Sequence, residues 1–184
     1  MDAVEVLAPV PIDERAAILR DGTRLGIRAI RPDDYEREAA FVRGLSFTAG
    51  YQRLLSPRRL TAKELHRFVE IDPAREIALV AVSGEGQAAI QVGVARCARI
   101  DDGPDYDFAI VVADAWQRLG LGSELLRRLL EAADAAGVPR LVGLTLAGNA
   151  PMLALARRLG FALQREAQDA TLFRVTRETR AAPP

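Results

Sequence analysis

Cysteine, histidine, lysine and tryptophan each occur once in the 184 residues. A single cysteine, Cys97, has no partner for a disulfide, and its place in an apolar alternating run makes it a strand filler rather than a nucleophile. One histidine, His66, sits in a charged, helix-like segment, so the chain lacks the converging ligands of a zinc-type site and no metal is expected. A basic excess is also missing. Lys and Arg total 25 against 25 Asp and Glu, for a formal net charge of zero, which argues against nucleic acid as a partner. Lys63 is the single lysine, and the arginine-rich remainder reads as composition bias. No apolar run approaches the roughly 18 residues that span a bilayer. Met1–Pro11 has neither the basic start nor the apolar stretch of a signal peptide. The expectation is a cytoplasmic protein with no membrane partner.

What remains is ordinary for one globular domain: 49% apolar and 27% charged residues. Residues 1–16, with Pro9 and Pro11, read as a lead-in. Asp21-Gly22 marks a hairpin between two short strands within 17–30. Asp33 and Asp34 offer N-caps for a helix over 33–46. Helices follow over 49–55 and 61–71, the second opened by the capping-box pair Thr61 and Glu64. Strands are expected over 76–83, 88–100 and 105–113. In the last of these, Phe108, Ile110 and Val112 share one face and Asp107, Ala109 and Val111 the other. Leu121, Leu125, Leu126, Leu129, Leu130 and Ala133 make the apolar stripe of a helix over 119–136, ended by Gly137. A strand over 141–146, a helix over 150–159 between Asn149 and Gly160, and strands over 161–167 and 171–177 complete the chain. The order implies an α/β (α+β) fold: a mixed, mostly antiparallel sheet with helices on both faces and one parallel pair from the β–α–β unit at 105–146. Residues 179–184 form a tail.

The most informative stretch is Gln117-Arg-Leu-Gly-Leu-Gly-Ser123, which follows a strand and opens a helix. It lacks the third small residue of a dinucleotide fingerprint and the Gly-Lys-Ser/Thr of a P-loop. Glycines at a helix start remove Cβ atoms where N–H groups are unpaired and the dipole is positive. Arg118 adds a cation at that positive end, and no carboxylate appears before Glu124. That placement is unfavourable unless an anion binds, and a pyrophosphate is the natural candidate. The bland alternative is a flexible helix entry.

Ile110 to Ser123 resembles the strand, Q/R-x-x-G-x-G/A loop and helix of the GCN5-related N-acetyltransferase (GNAT) superfamily. Asn149, with Gly160-Phe161 after an amphipathic helix, matches a second element of that superfamily. Leu19–Asp34, Tyr51–Arg58, Asp105–Gly122 and Asn149–Phe161 are similar to the acetyltransferase domain of bacterial Pat-type protein lysine acetyltransferases. The resemblance covers residues 17–178 and implies a single GNAT domain with a sheet of six to seven strands and a splayed parallel pair. Such enzymes often carry a further fused domain, for which this chain has no room.

The resemblance implies acetyl-CoA as donor. Its pyrophosphate would lie on Gln117, Arg118, Leu119, Gly120, Leu121, Gly122 and Ser123. Its pantetheine arm would run beside the strand at Val112, with Asn149 on the pantetheine amide or capping its own helix. A backbone N–H near Val112 would polarise the thioester. Asp107 occupies the position where Pat-type domains usually carry Glu, and is the candidate general base, acting directly or through water. The position that carries Tyr in many members is Ala156, so that acid is missing. The implied acceptor is a protein lysine, with a small amine as alternative; a non-catalytic acyl-CoA sensor is a third reading. The expected state is a monomer or homodimer. Asp101, Asp102, Asp105 and Asp107 suggest either a negative rim or solvated turns, Arg58-Arg59 either a 3′-phosphate contact or a solvated patch, and Trp116 a packing anchor.

Overall fold

A computed structural model describes residues 7, 8, 10–12, 14–54 and 60–179. Eight strands form one sheet in the order β1-β2-β3-β4-β5-β6-β8-β7. They are β1 (Arg15–Ile18), β2 (Arg24–Ala29), β3 (Glu76–Ser83), β4 (Ile90–Arg99), β5 (Asp105–Val112), β6 (Arg140–Leu146), β7 (Ala162–Arg165) and β8 (Leu172–Glu178). The helices are α1 (Tyr35–Gly44), α2 (Phe47–Leu54), α3 (Ala62–Val69), α4 (Leu121–Ala136) and α5 (Ala150–Arg158). The count exceeds the expected six to seven because both arms of the first hairpin and both arms of the last join the same sheet. Among the described residues, only β5 and β6 pair in parallel, as the crossover through α4 requires.

The sheet is covered on both faces. On one, the leucine stripe of α4 packs with Ala156 of α5 against Leu79, Val92, Cys97, Phe108 and Val112. Burying each leucine contributes about 1.5–3 kcal/mol, and that face holds the larger core. On the other, Phe41 of α1 and Val69 of α3 cover Ala78, Val80, Val94 and Val111. Cys97 lies inside the first core, and burial pushes its thiol up to about 12, so it is inert at neutral pH. Among the described residues, no group of three or more His, Cys, Asp or Glu is placed to hold a metal ion. No helix there is long and apolar enough to cross a membrane.

Local signals explain most boundaries. Thr61 accepts the Glu64 N–H while Glu64 reaches back to the Thr61 N–H, the reciprocal box that starts α3. Gly137, at φ 78°, closes α4 with bonds to Ala133 and Asp134 carbonyls. One expected cap is different. Asp34 makes no side-chain cap for α1. Its carboxylate is fully buried and accepts both arms of the Arg28 guanidinium at 2.6 Å. It also accepts the Arg31 N–H at 2.9 Å and Arg37 at 3.3 Å. A bidentate guanidinium offers a charged carboxylate more than one backbone N–H does. The first and last described residues also hydrogen-bond to the body of the fold. The Leu7 N–H bonds the Ala74 carbonyl at 3.0 Å, and the Thr179 N–H bonds the Pro139 carbonyl at 3.1 Å.

Candidate active site

The site forms where the parallel pair comes apart. β5 and β6 are in register only from Asp105↔Arg140 to Asp107↔Val142. Gly143 then lies against Phe108: a Cβ there would meet the ring at 2.9 Å, so only glycine permits this approach. Beyond it β6 pairs with β8 alone. On its other side β5 stays bonded to β4 along its whole length. The Ile100 N–H bonds the Asp105 carbonyl and the Ala113 N–H bonds the Val92 carbonyl. Antiparallel pairing alternates, so the odd-numbered residues of β5 bond β4 and the even ones turn away. The backbone N–H and C=O groups of Phe108, Ile110 and Val112 therefore face the gap between β5 and β6.

Asp107 is the last paired residue before that gap. Its side chain is on the face opposite the leucine stripe and reaches solvent. It has no hydrogen bond or ion pair among the described residues. Partial burial with no compensating partner raises its carboxyl above the ordinary carboxylate range. Two other members of the acidic group are neutralised: Asp102 pairs with Arg75 at 3.2 Å and Asp105 with Arg140 at 2.6 Å. The negative rim is thus reduced by partners that lie far away in sequence.

β5 runs into a 3-10 turn, Asp114–Trp116, and then into the glycine loop. Asp114 accepts the Ser46 N–H at 3.0 Å and its hydroxyl at 2.7 Å, fastening the start of α2 to the end of β5. These bonds hold the Asp114 carboxyl below its ordinary value. Trp116 packs on the main core, as expected of an anchor. Gln117 folds back, its Nε2 donating to the Val112 carbonyl at 3.1 Å. Arg118 has φ 62° and Gly120 φ 97°. The left-handed conformation costs a non-glycine residue on the order of 1–2 kcal/mol, so Arg118 is held there by its surroundings.

Left-handed residues such as Arg118 and Gly120 are components of the backbone nests that bind anions. Among the described residues, no backbone carbonyl or capping side chain takes the N–H groups of Arg118, Leu119, Gly120, Leu121 or Gly122. Ser123 differs from expectation: its N–H bonds the Gly120 carbonyl at 3.1 Å, leaving its hydroxyl as the outward group. The Leu121 side chain is wholly in the core, so only its backbone faces outward. A Cβ on Gly122 would lie 3.8–3.9 Å from Val112, Ile110 and Leu155. Loop, strand β5 and helix α5 therefore converge there.

Asn149 caps α5, its Oδ1 accepting the Met152 N–H at 3.2 Å. Ala156 is fully buried and places no polar group near the gap. Two residues not singled out from sequence join the loop. Arg20, in the β1–β2 turn, comes within 3.7 Å of where a Gly120 Cβ would sit. Arg158 of α5 donates to the Ser123 hydroxyl. No local pattern marks either, because each arrives from a separate element. Arg58 and Arg59 lie outside the described residues.

A strand splayed from its parallel neighbour, followed by a loop and helix start whose N–H groups have no partner among the described residues, suits a phosphate-bearing thioester. Residues 24–162 match the acetyltransferase (GNAT) domain family. The chain belongs to this family. It is therefore an acetyltransferase, with acetyl-CoA as donor. An acetyltransferase of Pseudomonas aeruginosa is 32% identical over 165 residues, covering 89% of each chain. The acetyltransferase Pat of Mycolicibacterium smegmatis is 29% identical over 161 residues, covering 87% of this chain and 46% of its own. This chain thus spans less than half of that relative. The crystal structure of the GNAT domain of S. lividans PAT superimposes with a TM-score of 0.80 at 27% identity, covering 90% of this chain and 96% of that one.

Proposed function

We propose that this acetyltransferase moves the acetyl group directly to a protein lysine, with donor and acceptor bound together and Asp107 as general base. The carrying observation is the placement of Asp107: a carboxylate without partners, raised by burial, at the point where β5 and β6 separate. The likeness to Pat-type proteins supports lysine as acceptor.

Acetyl-CoA supplies an activated thioester, and the chain's own groups do the rest. The free N–H groups of 118–122 hold the pyrophosphate, and Val112 and Asn149 hold the pantetheine arm. A lysine ammonium has an ordinary pKa of about 10.4 and cannot attack until it loses a proton. Asp107 accepts that proton, and its raised carboxyl makes it a better base than an ordinary aspartate. The strand also narrows the choice of carbonyl-polarising donor. At about 3.3 Å per residue, the Val112 N–H lies about 16 Å along β5 from Asp107, and the Ile110 N–H about 10 Å. A carboxylate, one water, the amine and the carbonyl together span about the shorter distance. Ile110 therefore donates to the oxygen on which charge builds, and Val112 serves the pantetheine. With Ala156 in place of a tyrosine, the departing thiolate takes its proton from water.

The test is incubation of the protein, and of Asp107→Asn, with labelled acetyl-CoA and whole lysate. Label on protein lysines that depends on Asp107 is the expected result. Label confined to small metabolites would overturn the protein acceptor, and undiminished labelling by Asp107→Asn would overturn the base.

A further inference from the structure

We infer that the Thr145 hydroxyl donates a hydrogen bond to the sulfur of coenzyme A as it departs, serving the leaving group from the face of the sheet opposite Asp107. The inference rests on the reading of the reaction above and adds to it a residue from the far wall of the gap. β6 reads Arg140-Leu-Val-Gly-Leu-Thr-Leu146, so after Arg140 its one polar side chain is Thr145. That residue is only 5% exposed. Its hydroxyl has no hydrogen-bond partner among the described residues. A buried hydroxyl left unpaired is costly, and valine would fill the same space without that cost.

Register sets its position. The last parallel pair is Asp107↔Val142. Thr145 lies three residues beyond Val142, as Ile110 lies three beyond Asp107, so each stands about 10 Å along its strand from that pair. Thr145 is thus level with the N–H assigned to the carbonyl oxygen, on the opposite wall. Strand alternation puts it on the face of Leu141, which belongs to the larger core under α4 and α5. Asp107 is on the other face. On the Thr145 face, Phe108 packs at 5.0 Å on Phe161 and fills the space beside Gly143. Ala156 of α5 is buried there and carries no polar side chain.

The two faces then divide the reaction. The amine approaches from the Asp107 face, and the sulfur leaves toward the other. As nitrogen bonds the carbonyl carbon and the C–S bond breaks, the electron pair goes to sulfur and the amine proton to Asp107. Thr145 gives up no proton. Its O–H lends a hydrogen bond to the sulfur as negative charge builds there, until water protonates the thiolate. A hydrogen bond to a charged partner is stronger than one between neutral groups, so the contact favours the departing thiolate over the bound thioester.

The experiment compares Thr145→Val and Thr145→Ser with wild type in the whole chain. When whole lysate is labelled with acetyl-CoA, Thr145→Val should lower kcat roughly tenfold and leave KM for acetyl-CoA within about twofold. Thr145→Ser should keep most of the rate. The melting temperature of Thr145→Val should equal or exceed wild type, which separates lost rate from lost fold. Calorimetry gives a readout independent of the acceptor. At about pH 9, above the ordinary thiol pKa of about 8.5, wild type should bind coenzyme A several-fold more tightly than desulfo-coenzyme A, which lacks the sulfur. Thr145→Val should erase that preference. An undiminished kcat, or a preference that survives in Thr145→Val, would overturn the role of Thr145 and leave the donor site standing. Lysate left unlabelled by wild type would overturn the protein acceptor, and the binding preference would then decide Thr145 alone. Failure of wild type to bind either ligand would overturn the donor reading itself.

Discussion

At the scale of single residues, Asp107 and Asp34 are aspartates with opposite electrostatic fates. Burial without a partner raises the Asp107 carboxyl. Between its ordinary and raised values the folded state holds the proton more firmly than the unfolded chain. Stability therefore falls as pH rises through that window. Asp107→Asn removes this cost, so its melting temperature at neutral pH should equal or exceed wild type while turnover drops roughly 100- to 1000-fold. Thermal scans and steady-state rates check both. The acid limb of kcat/KM should lie above the usual carboxylate range and vanish in Asp107→Asn. At Asp34, burial opposes the charge, but the Arg28 fork, the Arg31 N–H and the Arg37 charge outweigh it and hold the carboxyl down. Its stabilisation is present above the ordinary carboxylate pKa and is lost as pH falls toward the lowered one. Asp34→Ala strands a buried guanidinium and should cost about 3–5 kcal/mol, seen as a lower urea midpoint with unchanged slope.

At the scale of elements, the glycine loop and the split between β5 and β6 carry the function. Gly122 has room for a methyl, whose nearest neighbours would be 3.8–3.9 Å away. Gly122→Ala should fold normally yet bring side-chain atoms to where phosphate meets backbone. The rise in melting temperature given by coenzyme A, worth about 2.7 kcal/mol at 100 times its Kd in wild type, should shrink in the variant. An undiminished rise would show that ligand does not approach this backbone. Gly143→Ala should act differently, pushing Phe108 away and loosening the one stretch where the parallel strands meet.

Much of this scale was legible in the sequence. Gln117–Gly122 after a strand, the α4 stripe, Gly137 and the Asn149 cap each depend on neighbours within a few residues. What was hidden depends on partners across the fold. Which β5 groups face the gap is set by the β4 register, so the backbone groups of Phe108, Ile110 and Val112 could not be told from those of Ala109 and Val111. Arg75 and Arg140 pair with Asp102 and Asp105 over 27 and 35 residues. The Ser123 N–H looked free until the first turn took it up. Asp34 resembled a cap because a buried Arg28 leaves no local mark.

At the scale of the molecule, one sheet carries two cores, and the site sits where the sheet's hydrogen bonding is interrupted. Asp34 and Asp114 are both held below their ordinary values by partners that join separate elements. Acid should therefore loosen α1 and α2 from the sheet, and Asp34→Asn should flatten stability against pH between pH 5 and the acid transition. The single tryptophan gives this architecture a further use. Trp116 stands at the hinge between β5 and the loop, half-buried on the core. Its intrinsic fluorescence reports from one position only. A donor settling on the loop should shift its emission, so binding rates can be followed by stopped flow on the unlabelled, unmodified chain.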